Sequence, residues 1–148
     1  MIRFDKLTVG DIPSIVAMME TFYAIDGYAM DCDITIDNFD LFINNPQFGQ
    51  AWLIRNGEDV LGYMVVTYFF SFEFKGLVGL LDELFVGEKA RGMGLGKLAV
   101  EFVTSYLESK NCKMILLEVE EHNERAIHLY KKSGFVFHPR KFMRKHIN

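Results

Sequence analysis

The sequence predicts a mixed α/β fold, with helices flanking a mixed sheet. Two observations lead to this prediction. Apolar residues recur at helical spacing in some segments, whereas other segments are β-rich apolar runs bounded by turn residues. In addition, residues 77–119 read as strand, helix and strand in succession, which is typical of a βαβ unit. At 148 residues, half of them apolar, the chain can bury one core, so we expect a single domain over residues 1–148.

The first half of the chain predicts a strand, two helices and a strand meander. A capping box at Thr8 and Asp11 precedes apolar residues at helical spacing, so the first helix should end near residue 24. A shorter helix is expected over residues 35–43, before the Asn-Pro stop. Asn-Gly-Glu-Asp then separates two β-rich runs, which predicts a hairpin. The strands expected in this half cover residues 51–55, 60–70 and 77–86.

The second half predicts the clearest helix, over residues 95–110, where apolar positions follow the 3.6-residue period closely. A short apolar strand over residues 114–119 and a helix over residues 123–132 follow, and Gly134 should end that helix. Two further strands are expected at residues 135–137 and 142–145.

Composition excludes several classes of function. The net charge is −4 with a pI near 5.5, so the chain lacks the positive field that non-specific nucleic-acid binding requires. The longest apolar stretch, residues 62–70, is far shorter than the roughly 20 residues that span a bilayer, and the N-terminus lacks a signal core. We therefore expect a soluble, cytoplasmic protein with no membrane partner. Cys32 and Cys112 are the only cysteines and the four histidines lack ligand spacing, so we expect free thiols and no metal.

The charge is distributed unevenly along the chain. Residues 1–88 contain 4 basic and 14 acidic side chains, whereas residues 89–148 contain 12 basic and 6 acidic ones. Seven of the acidic residues, Asp26 and Asp31 among them, lie between Lys6 and Arg55 with no basic residue between. One interpretation is a solvated acidic face. The other is a cationic substrate, bound in part by Asp26 and Asp31, beside an anionic cofactor.

A glycine-rich loop joins the strand at residues 77–86 to the helix at residues 95–110. Its sequence is Arg-Gly-Met-Gly-Leu-Gly-Lys over residues 91–97. Alternating glycines let the backbone turn so that several N–H groups point one way, and a helix N-terminus favours an anion. The loop is therefore a candidate phosphate site, the alternative being a strand-to-helix turn without a ligand.

Two known phosphate motifs fit the loop poorly. A P-loop needs glycine six residues before the lysine and Ser or Thr after it, but Arg91 and Leu98 stand there. The dinucleotide fingerprint fits better, because Gly94, Gly96 and Ala99 match it and Glu118 follows about 20 residues later. However, the turn that begins after residue 86 is long for that motif, and the repeated βα units of a nicotinamide domain are missing.

Three motifs in order resemble the GNAT superfamily of N-acetyltransferases. They are Leu-Asp-Glu-Leu-Phe-Val at residues 81–86, Arg-Gly-x-Gly-x-Gly at residues 91–96, and Asn-x-x-Ala-x-x-Leu-Tyr-x-x-x-Gly-Phe at residues 123–135. The resemblance implies a twisted mixed sheet whose central strands splay apart, with acetyl-coenzyme A in the gap. It also implies direct acetyl transfer to a primary amine. A non-catalytic acyl-coenzyme A sensor of the same fold is the alternative, and a dinucleotide enzyme a weaker one.

The resemblance also assigns cofactor roles. The pyrophosphate should lie on the backbone amides of the glycine loop, and the pantetheine arm should pair with the end of the preceding strand. Asn123 matches the residue that opens the next helix and bonds the cofactor arm, although a plain N-cap is the alternative. The implied cofactor residues are Leu84, Phe85, Val86, Arg91, Gly92, Met93, Gly94, Leu95, Gly96, Lys97, Asn123 and Tyr130.

Amine acetylation requires a base and a proton donor. An alkyl amine has a pKa of about 10, so it must lose a proton before it attacks the thioester, and the thiolate that leaves needs a proton. Tyr130 matches the family tyrosine that faces the sulfur. Asp82 and Glu83 are the candidate bases, and strand alternation would point them to opposite faces. We expect Asp82 to be the base, with Glu83 or a relayed water as alternatives.

Two remaining segments favour structural interpretations. Phenylalanines alternate over residues 69–74, which is more typical of a core or of a homodimer face than of a substrate pocket. The tail over residues 139–146 interleaves basic and apolar residues, which favours a solvated edge strand over a nucleic-acid patch. The sequence leaves the identity of the amine open.

Overall fold

The computed structural model describes all residues from 1 to 148 and divides them into two compact units, Met1–Glu118 and Val119–Asn148. The expectation of a single domain over residues 1–148 stays a prediction. No helix in the structure is both long enough and apolar enough to cross a membrane.

The larger unit is built on a five-stranded sheet with the strands in sequence order. The first four strands pair with one another in antiparallel fashion, and the fifth is parallel to the fourth. The βαβ prediction is therefore confirmed, and this unit contains one parallel pair instead of repeated βα units. The strands are β1 Ile2–Lys6, β2 Gly49–Asn56, β3 Asp59–Ser71, β4 Gly76–Val86 and β5 Met114–Leu117.

All four predicted helices are present. They are α1 Ile12–Ile25, α2 Cys32–Ile43 and α3 Leu95–Ser109 in the larger unit, and α4 Glu124–Lys132 in the smaller one. The capping box forms as predicted, since Asp11 Oδ2 accepts the backbone N–H of Thr8 at 3.0 Å. Helix α2 begins three residues earlier than predicted, because the Asp31 side chain accepts the backbone N–H of Ile34 as an N-cap.

Two sequence expectations are wrong. The segments at residues 135–137 and 142–145 form no strand, and Met143 is 97% exposed. Alternation makes a strand only where another strand supplies hydrogen bonds, and this tail has none in its own unit. In the aromatic run, Phe70 and Phe72 are 65% and 91% exposed at the β3–β4 hairpin, so these two rings lie outside the core. The homodimer-face interpretation of the run stays a prediction.

The sheet is covered on both faces. Helices α1 and α2 cover a core that contains Ile15, Phe39 and Tyr63. On the other face Trp52 of β2 packs edge-on against Phe102 and Tyr106 of α3. Helix α3 lies close to β4 at Gly79, where an added Cβ would come within 2.6 Å of Leu107 methyl carbons.

Candidate active site

Strands β4 and β5 stop pairing midway along β4. Their parallel pairing ends where Leu81 faces Leu117, whereas β4 continues to Val86 paired only with β3. The last residues of β4 therefore form a sheet edge on the β5 side, and main-chain groups on such an edge can pair with another extended chain. The residues of this edge include Leu84, Phe85 and Val86, which by the family resemblance would pair with the cofactor arm.

A β-bulge lies at the same point of β4. Val65 pairs with Glu83 and Val66 pairs with Leu81, so Asp82 is the extra residue. Gly79 and Glu83 are four positions apart, and a regular strand would place them on the same face. Gly79 instead lies against α3 whereas Glu83 contacts α1, so the bulge reverses which face of the sheet the following residues occupy. The alternation argument that placed Asp82 and Glu83 on opposite faces therefore does not hold for this strand.

The Glu83 carboxylate is held by two tyrosines. The Tyr23 hydroxyl donates to Oε2 and the Tyr63 hydroxyl donates to Oε1, each at 2.7 Å. Burial raises the pKa of Glu83, the two hydrogen bonds lower it, and the Asp82 charge raises it, so that the pKa stands above its usual value. Burial and the Glu83 carboxylate also raise the pKa of both tyrosines, which keeps the two hydroxyls protonated.

Asp82 stands in different surroundings. Its side chain is exposed and accepts no hydrogen bond from another side chain, yet partial burial and then the charge of Glu118 raise the pKa of its carboxyl. Glu118 directly follows Leu117, just as Asp82 follows Leu81 at the last paired position. In the sequence, Glu118 is notable only as the acidic residue of the dinucleotide fingerprint. Its place at the end of a strand parallel to β4 was the signal that could have brought it into the site.

The glycine loop enters α3 with two residues in the left-handed region. Gly92 has a φ of 82° and Gly94, the N-cap of α3, has a φ of 73°. A Cβ at either position would meet nothing within 4 Å, so open space lies in front of this turn. The first amides of an α-helix have no acceptor within the helix, which leaves those of Leu95, Gly96 and Lys97 available to an anion.

The side chains around the loop differ in how they are held. Arg91 donates from Nε to the Val86 carbonyl at 3.3 Å, and Lys97 lies 3.8 Å from the Glu101 carboxylate. Leu95 is buried, whereas Met93 is exposed. Leu95 therefore anchors the helix, and only its amide could face an anion.

The smaller unit carries the two remaining candidate residues. Asn123 is the N-cap of α4, and its Oδ1 accepts the backbone N–H of Ala126 at 3.1 Å. Asn123 therefore caps α4, and its role in binding the cofactor stays a prediction. Tyr130 packs edge-on against Phe135, with 5.7 Å between the ring centroids, and burial raises the pKa of its phenol.

The two acidic substrate candidates lie at helix ends. Asp26 is the C-cap of α1 and Asp31 is the N-cap of α2, and both are exposed. Their substrate role also stays a prediction. Across residues 1–148, no three His, Cys, Asp or Glu side chains come together as a metal site.

Comparison with solved structures supports the same fold. An integron cassette protein from the mobile metagenome of Cole Harbour Salt Marsh is 31% identical, with a TM-score of 0.87 over 98% of this chain and 90% of that one. A structure described as a predicted acetyltransferase with acetyl-CoA, from Clostridium acetobutylicum, is 15% identical with a TM-score of 0.83 over 98% and 96% of the two chains. At that identity the second likeness concerns the fold alone.

Curated relatives match shorter segments. A spermine/spermidine N(1)-acetyltransferase of Bacillus subtilis is 41% identical over 38% of this chain, and a thialysine N-epsilon-acetyltransferase of Bos taurus is 34% identical over 53%. The chain matches less than half the length of each relative, 38% of the first and 45% of the second. The model of the acetyltransferase (GNAT) family matches residues 16–135. That match covers four fifths of the chain, and the structure contains the glycine loop and the β4 and β5 strands that stop pairing before β4 ends. The chain therefore belongs to the GNAT family.

Proposed function

We propose that this protein transfers the acetyl group of acetyl-CoA directly to a primary amine. The observation that carries the proposal is the arrangement at the end of β4. There an exposed carboxylate, a free strand edge and a glycine turn into a helix N-terminus follow one another within residues 82–97. They match the three needs of the reaction, which are a proton acceptor, a track for the pantetheine arm and an anion site for its phosphates.

The residues present fit acetyl-CoA. The open space before Gly92 and Gly94 and the unbonded first amides of α3 suit a pyrophosphate, with Arg91 and Lys97 as cations nearby. The edge of β4 suits the amide groups of the pantetheine arm. Asn123 uses its Oδ1 as an N-cap, so its amide nitrogen is the group it would offer to the cofactor.

Asp82 suits the role of base better than Glu83 does. Each Glu83 oxygen already accepts a tyrosine hydroxyl, whereas the Asp82 carboxylate is exposed and its raised pKa increases its basicity. Asp82, directly or through a water, takes one proton from the ammonium group and later releases it to solvent. The neutral nitrogen bonds to the acetyl carbon as the carbon–sulfur bond breaks, and it loses its second proton to solvent as the amide forms. The Tyr130 phenol, kept protonated by burial, gives its proton to the departing sulfur and regains one from solvent.

A cationic acceptor is the substrate class we favour, either a polyamine-like molecule or a peptide amine. Two of the curated relatives act on such molecules, since their names specify spermine/spermidine and thialysine as substrates. The acidic run between Lys6 and Arg55 belongs to the segment that contains α1 and α2. Carboxylates there would raise the local concentration of a cation.

The direct test is release of free thiol from acetyl-CoA with a panel of amines. We expect turnover with spermidine, spermine or lysine analogues, and product mass higher by one acetyl group. Calorimetric binding of acetyl-CoA without turnover on any amine would instead support the non-catalytic sensor. Binding of NADH in preference to acetyl-CoA would support the dinucleotide enzyme.

Gly94→Asp should weaken acetyl-CoA binding by well over tenfold, or more than about 1.4 kcal/mol. The substitution forces a residue with a Cβ into a left-handed conformation and places a negative charge at the helix N-terminus that should hold phosphate. Calorimetry on the folded variant is the measurement. Gly57→Asp, at another left-handed glycine in the β2–β3 turn, is the matched control for backbone strain. Equal affinities in wild type and Gly94→Asp would remove the loop from the cofactor site.

The acceptor KM should rise steeply between low and moderate salt, because salt screens the attraction of carboxylates for a cation over about 8 Å at physiological ionic strength. Asp26→Asn or Asp31→Asn should raise the acceptor KM further and leave the KM for acetyl-CoA nearly unchanged. Asn also caps helices, so Asp31→Asn leaves α2 capped. Salt-independent acceptor kinetics would show that these carboxylates form only a solvated face.

A further inference from the structure

Glu83 joins three elements of the larger unit. It lies on β4, and it receives one hydrogen bond from Tyr23 of α1 and one from Tyr63 of β3. Tyr63 is fully buried and Tyr23 is half-buried, while Phe22 and Phe85 pack around the Tyr63 ring. The carboxylate therefore has a fixed orientation set by both the helix and the sheet.

This carboxylate has hydrogen-bond donors but no cation. Its two partners are neutral phenols, and no Lys or Arg forms an ion pair with it. A carboxylate offers about four acceptor positions and the tyrosines occupy two, so both oxygens can accept again. A half-buried negative charge without a counter-ion is costly, and binding a cation there removes part of that cost.

The neighbouring residues Asp82 and Glu83 are suited to different roles. Asp82 has no side-chain donor and can exchange a proton with the acceptor, whereas Glu83 is held in place and is suited to binding a charge that persists. The reacting nitrogen is neutral when it attacks, so a persistent charge must belong to a second ammonium group of the acceptor.

We propose that Tyr23 and Tyr63 are positioning residues that hold Glu83 to bind the non-reacting ammonium group of a di- or polyamine. This inference rests on the proposed function and narrows its substrate class. It assigns α1 a part in acceptor selection through a single hydroxyl group.

Steady-state kinetics with spermidine and with the monoamine hexylamine test the inference. Tyr23→Phe removes one donor and keeps the ring, so it should raise the KM for spermidine about tenfold, leave kcat within about twofold, and leave the KM for hexylamine unchanged. Glu83→Gln should raise the spermidine KM at least as much. Adding Tyr23→Phe to Glu83→Gln should have almost no further effect, because Tyr23 acts through Glu83.

Tyr68→Phe is the matched control. It also removes a part-buried tyrosine hydroxyl, bonded at 3.0 Å to the hydroxyl of Tyr106 and not to a carboxylate. We expect its KM values to equal those of the wild type.

The outcomes separate the inference from the proposed function. If the wild type acetylates an amine and Tyr23→Phe leaves the KM values unchanged, as Tyr68→Phe should, the inference is overturned and the proposed function stands. Equal losses with spermidine and hexylamine, or additive effects of Tyr23→Phe and Glu83→Gln, assign a structural role and also overturn it. If Tyr23→Phe does not fold, the same KM values are measured for Tyr63→Phe. If neither variant folds, both tyrosines have a structural role and the inference is overturned. Absence of turnover on any amine in the wild type overturns both proposals.

Discussion

Asp82→Asn is expected to lower kcat/KM for the amine by about 10²- to 10⁴-fold, the range for loss of a general base. The substitution keeps the shape of the side chain and removes its capacity to accept a proton. Stopped assays with the best amine of the panel, at saturating acetyl-CoA, measure the effect.

The fold offers a control for this variant. A carboxyl whose pKa is raised in the folded state favours folding when it is protonated, at low pH, and that contribution is lost as the pH rises through the raised pKa. At neutral pH the neutral Asn should therefore leave the unfolding midpoint unchanged or higher. Near-wild-type activity of a folded Asp82→Asn variant would assign the base to Glu118, Glu83 or a relayed water.

The pH dependence of kcat/KM is a second test of Asp82 as the base. Asp82 accepts a proton only when it is ionised, so its raised pKa moves the acidic limb of kcat/KM toward higher pH. Glu118→Gln removes one of the two causes of that shift, and the limb should move to lower pH. If the acidic limb does not move, the charge of Glu118 does not influence the pKa of the catalytic base.

Tyr130→Phe is expected to lower kcat roughly 10- to 10³-fold and to leave acetyl-CoA affinity near normal, because the hydroxyl acts on the sulfur only as the bond breaks. The ring and its edge-on contact with Phe135 remain. Single-turnover thiol release and calorimetric affinity, measured together, distinguish this role from cofactor binding.

A comparison within the same residue type strengthens that test. Tyr106→Phe removes a hydroxyl on α3 that accepts a hydrogen bond from Tyr68 and keeps the ring contact with Trp52, and we expect it to leave kcat unchanged. Full activity of Tyr130→Phe would assign Tyr130 to packing in the smaller unit.

Local signals in the sequence were sufficient for most elements of the fold. The capping box, the apolar period of α3 and the turn residues around the β2–β3 hairpin depend on interactions within a few residues, and each element formed close to its predicted limits. The glycine turn into α3 was visible for the same reason. Its left-handed residues are a property of the chain at that point.

The sequence by itself determined the family motifs, the order of elements and the residue types of the site. Only the tertiary structure decided how the two acidic neighbours on β4 differ. The bulge at Asp82 arises from the register with β3, and the Tyr23 and Tyr63 hydroxyls reach Glu83 across separations of 60 and 20 residues. The absence of strands after α4 is of the same kind, because a strand exists only with a partner. Pairing register and long-range hydrogen bonds depend on residues distant in the chain, which local periodicity does not encode.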